Sequence, residues 1–72
     1  MKLINVNDRD GDTYIINPIH VEEVKVTRSS HNNDWCIVIS VRENRTHTIL
    51  CHSESEKDKH LLEINTAMES IS

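Results

Sequence analysis

Trp35-Cys36-Ile37-Val38-Ile39-Ser40-Val41, with its return Thr46-His47-Thr48-Ile49-Leu50-Cys51-His52, is the stretch on which the fold turns. Both runs are rich in β-branched and apolar residues, and the polar segment Glu43-Asn44-Arg45 between them reads as a turn. The pair is therefore a β-hairpin. Side chains on a strand alternate between faces. Trp35, Ile37, Ile39 and Val41 share one face of the first strand, and Cys36, Val38 and Ser40 the other. On the return strand Thr46, Thr48 and Leu50 oppose His47, Ile49 and Cys51 in the same way. A loop of two or four residues pairs the Trp35 set with the Leu50 set, which leaves both sides of the ribbon partly apolar.

Downstream, Ser53-Glu54-Ser55-Glu56 matches a capping box, in which the serine hydroxyl accepts from the N3 amide and the glutamate reaches back to the cap. Leu61, Ile64, Met68 and Ile71 then recur at steps of three and four, flanked by Leu62 and Ala67. That is one apolar stripe on a helix spanning about 54–70. Upstream, strands are expected at about 3–6, 13–17 and 23–28, with the hairpin strands at about 35–42 and 46–52. Asn7-Asp8-Arg9-Asp10-Gly11-Asp12 is dense in turn formers, and Asn17-Pro18 interrupts the ladder because proline has no N–H to donate. The apolar phase slips at Glu22-Glu23, where a bulge would restore it. A polar loop is expected at 29–34. The expected architecture is α+β: a single domain, 1–72, in which a small antiparallel meander of three to five strands carries one C-terminal helix on one face.

A single helix covers one sheet face, and the Trp35 face, with the larger side chains, should take it. Cys36, Val38, Ile49 and Cys51 would then form an uncovered apolar patch, the expected partner-binding surface. The alternative is a sheet that curls into a half-barrel and buries these four residues.

Composition narrows the function classes. At 72 residues, with 36% hydrophobic content and no Phe, the core must come from Ile, Val and Leu, and a partner or a second copy would relieve its small size. The net charge of −4 weighs against a phosphate-backbone binder. No apolar leader follows Met1, and two cysteines without a secretory signal suit reduced thiols, so a complete cytoplasmic gene product with no membrane span is expected.

Motifs for chemistry are weak. An EF-hand reading of the Asp8–Asp12 segment fails, because Val6 stands where an oxygen ligand is needed and Asn17 where a bidentate Glu is needed. Cys51 and His52 are adjacent and point to opposite faces, so no four-ligand zinc site assembles. Cys36 and Cys51, sharing a face, could sit opposite one another, although buried small apolar side chains are the preferred reading. Phosphate loops, nucleophile elbows and HExxH are absent. The expectation is a non-enzyme with no cofactor, no metal and no evident small-molecule substrate.

The order strand, turn ending at Gly11, strand, Asn-Pro, extension, strong hairpin and capped helix resembles the small flagellar FlbD-like family, which includes a swarming-motility protein. The residues that carry it are Ile4-Asn5-Val6, Tyr14-Ile15-Ile16-Asn17-Pro18, Val21-Glu22-Glu23-Val24 and the helix opening at Ser53. The chain departs from that family where a Pro-Asp-Thr approach and an Asn-Gly turn belong. His31 to Trp35 and Glu43 to Thr46 stand there instead. The resemblance implies the fold more than the role.

The functional expectation is a non-catalytic protein-interaction module, a bacterial or phage accessory or regulatory protein that binds a protein partner or self-associates. The alternative is a small nucleic-acid-binding module using Lys25, Arg28, His31, Trp35, Arg42 and Arg45.

Overall fold

The computed structural model describes residues 2–28 and 34–71, and the expected strands and helix lie within them. Strand β1, Ile4–Asn7, pairs antiparallel with β2, Thr13–Ile16, placing Ile4 opposite Ile16 and Val6 opposite Tyr14. The turn between them is built around the buried Asp8. Its Oδ1 accepts from the amides of Asp10 at 2.9 Å and Asp12 at 3.0 Å, and its own N–H donates to the Asp12 carbonyl at 2.9 Å. Gly11 sits at φ 90°, a backbone state that a Cβ would penalise.

Pro18–His20 forms a short 3-10 turn, capped by Asn17, whose Oδ1 accepts from the Ile19 amide at 2.9 Å. Strand β3, Val21–Arg28, pairs with β4, Trp35–Val41, which pairs with β5, Arg45–Cys51. The slip expected at Glu22-Glu23 is a shift in register: Val21 faces Val41, Glu23 faces Ser40, and Glu22 is the extra residue. Of the loop expected at 29–34, only Asp34 falls within the described residues.

The five strands form two sheets, β1-β2 and β3-β4-β5, rather than one continuous ladder. They share one hydrophobic core, and polar and ring contacts also join them. The Arg9 amide donates to the Leu50 carbonyl at 2.9 Å, the Arg9 guanidinium pairs with Asp34, and the Tyr14 ring meets His47 edge-on with centroids 5.9 Å apart. Helix α1, Glu54–Glu69, packs against β1, β4, β5 and the 3-10 turn. Ile4, Ile37, Ile39, Ile49, Ile64 and Cys51 are fully buried between these layers.

The helix cap forms with one change. Ser53 Oγ accepts from the Glu56 amide at 3.2 Å, whereas Glu56 reaches past the cap to the amide of His52 at 3.4 Å. Ile64 and Ala67 are the buried centre of the stripe, and Leu61 and Met68 pack at its edges. Ile71, assigned to the stripe from its spacing, lies beyond the last helical turn and is exposed.

Candidate functional site

The turn between β4 and β5 decides which side chains reach the surface. Val41 faces Arg45, leaving three residues in the loop: Arg42, Glu43 and Asn44. Glu43 and Asn44 take the tight bend at φ 68° and 59°. Arg42 is the extra residue, and its amide leaves the hairpin to donate to the His20 carbonyl at 3.1 Å. An odd loop shifts the register by one residue, and a one-residue shift exchanges the two faces of the returning strand.

As a result Trp35 faces Cys51, Ile37 faces Ile49 and Ile39 faces His47, so these residues share the face under the helix. Cys36 faces Leu50 and Val38 faces Thr48 on the opposite face. The four residues expected to make one open patch are therefore split. Ile49 and Cys51 are completely buried in the core. Cys36 and Val38 stay on the outer face with Leu50, Cys36 only 9% exposed and Val38 half-buried. Cys36 and Cys51, on opposite faces, cannot pair across the ladder. Burial, then the nearby Glu56 carboxylate, pushes the Cys51 thiol up to about 11, so it stays protonated and inert at neutral pH.

The outer face is mostly polar. Glu23, Lys25 and Thr27 of β3 and Thr46 and Thr48 of β5 surround Cys36, Val38 and Leu50.

The basic residues do not converge either. Arg28 and Trp35 stand at one end of the sheet, opposite each other in the ladder, whereas Arg42 and Arg45 stand at the β4–β5 turn. Six residue steps along β4 put these ends about 20 Å apart. His31 lies outside the described residues. The Trp35 ring carries the Arg28 guanidinium 4.7 Å from its centroid and the Lys57 ammonium at 4.6 Å, so cations already occupy positions that a stacked base would seek. Lys25 pairs with Glu23 at 3.2 Å and Arg45 with Glu43 at 3.6 Å.

The acidic turn uses its carboxylates internally. Asp8 Oδ1 is committed to backbone amides, and the Tyr14 hydroxyl donates a long hydrogen bond to Asp8 Oδ2 at 3.5 Å. Burial, followed by the Asp8 and Asp12 charges, raises the Tyr14 phenol above its ordinary value. His60 Nε2 is enclosed and makes no hydrogen bond. Glu56 Oε1 is 3.5 Å away without forming a hydrogen bond to it. Among the described residues, no three His, Cys, Asp or Glu side chains converge as a metal site requires, and no helix is long and apolar enough to cross a membrane.

Among the described residues β3 is an edge strand of its sheet, as β5 is on the other side. The one partner of β3 among them is β4, so alternate N–H and C=O groups along its other side face outward. Val24 and Val26 stand on the core face of β3, opposite Ile39 and Ile37. The helix makes its main contacts with β1, β4 and β5, and Val26 remains 40% exposed beside a fully buried Ile37. The sequence contains the signal, a Val24-Lys25-Val26 alternation, but strand order is needed to see that it borders open solvent. No protein-family model, no curated protein and no solved structure matches this chain.

Proposed function

We propose that the chain is a non-catalytic protein-interaction module that works by strand addition at the β3 edge. The observation that carries this is Val26, left 40% exposed on the apolar face of an edge strand whose outward backbone groups have no strand beside them among the described residues. Such an edge offers main-chain hydrogen bonds for affinity and alternate side chains for specificity. The contact surface is thus moved from the outer sheet face to the sheet's side. A bacterial or phage accessory or regulatory setting belongs to the same proposal, supported by small size, acidic charge and the resemblance to flagellar FlbD-like proteins.

The test compares wild type with Val26→Asp, both checked for fold by circular dichroism. Complex formation is followed by sedimentation of the pure protein and by affinity capture from a bacterial lysate. A complex of either kind, weakened about tenfold or more by the aspartate, is expected. Absence of any complex in both assays contradicts the proposal.

A further inference from the structure

The charge order along β3 names an occupant for that edge. From Val21 to Arg28 the strand reads Val-Glu-Glu-Val-Lys-Val-Thr-Arg, acidic toward its start and basic toward its end. A strand with that polarity is complementary to itself when turned antiparallel. We infer that the β3 edge pairs with the β3 edge of a second copy of this chain, about a two-fold axis through Val24, to give a continuous six-stranded sheet. This rests on the interaction reading above and names its partner.

The register follows from facing. An antiparallel two-fold places one residue opposite its own copy, and opposed residues share a sheet face. With Val24 on the axis, the two Val24 side chains meet on the core face. On the outer face Glu23 of each copy stands opposite Lys25 of the other. The ion pair that Glu23 and Lys25 make within one strand, at 3.2 Å and largely exposed, becomes a square of four alternating charges. Moving the axis to Lys25 sets two ammonium groups directly against each other, which disfavours that register. The extra residue Glu22 lies two positions from the axis, so Glu23, Val24 and Lys25 pair without a bulge between them.

The same features that blunt an edge against strangers, a bulge and a lysine, are thus compatible with self-recognition.

Charge exchange tests the pairing. Glu23→Lys makes the outer face of the edge basic, Lys25→Glu makes it acidic, and the double variant Glu23→Lys/Lys25→Glu restores complementarity with reversed sign. Sedimentation velocity at high micromolar concentration is expected to show a dimer for wild type and for the double variant. Each single variant should associate about tenfold or more weakly, and mixing the two single variants should restore a dimer. A monomeric wild type overturns the self-pairing but leaves partner binding to be judged by lysate capture. A dimer that survives both single reversals places self-association on another surface and also overturns it. Should a single variant fail to fold, the double variant still decides: a folded monomer contradicts the pairing.

Discussion

Cys51 lies directly opposite Trp35 in the β4–β5 ladder, one position away from the even register that a simple two-residue turn would set. Because of that single step, Ile49 and Cys51 complete the core under α1 instead of forming an outer patch. The step is stabilised locally, since the Arg42 amide is drawn out of the hairpin to the His20 carbonyl. Truncating a fully buried isoleucine costs about 2–5 kcal/mol, whereas a surface change costs within about 0.5 kcal/mol. Ile49→Ala should therefore lower unfolding free energy by several kcal/mol and Thr48→Ala by little, as read by urea denaturation. Similar losses for both would contradict the register.

Glu43 occupies the left-handed region at φ 68° to make that turn. A side chain there costs about 1–2 kcal/mol, partly offset in the unfolded chain if glycine replaces it. Glu43→Gly is expected to raise stability by up to about 1 kcal/mol in thermal unfolding. A destabilised variant would count against the bend as described.

Much of this molecule is legible in its sequence, because the deciding signals are local. The alternation of Trp35 to Val41, the cap at Ser53 and the slip at Glu22 each depend on neighbours a few residues away, and all three appear in the structure. The candidate surface was not legible, because it depends on loop parity. Arg42-Glu43-Asn44 carries no glycine to mark a positive φ, and the bond that makes Arg42 an extra residue comes from His20, far away in the chain. The docking of the two sheets likewise depends on Arg9, whose amide reaches Leu50 and whose guanidinium reaches Asp34.

Stability should depend on alkaline pH through Cys51. Its thiol titrates near 9 when free and near 11 when folded, so the folded state holds the proton more tightly. The contribution is fully present below pH 9 and is lost as pH rises through 11, by up to about 3 kcal/mol. The raised Tyr14 phenol acts in the same direction, so wild type must be compared with Cys51→Ala. That variant should flatten part of the alkaline decline while losing about 1 kcal/mol at neutral pH. An unchanged decline would show that Cys51 is not the titrating group.

Asp8→Ala should loosen the first hairpin. It removes the acceptor of two backbone amides at a buried position, a loss of about 1–3 kcal/mol. The same change frees Arg9 from its place beside Leu50, so amide exchange at Arg9 should accelerate together with that at Asp10 and Asp12. Exchange confined to one of these amides would contradict a turn organised by a single carboxylate.

Hydrogen exchange along β3 addresses the open edge itself. In dilute protein, amides of β3 that point toward β4 should be protected and the alternate amides that point outward should exchange quickly. Raising the concentration into the range where the chain associates should slow the outward set selectively, above all around Val24. An outward set already protected in dilute protein, or one that exchanges equally fast at every concentration while association proceeds, would contradict β3 as the interaction edge.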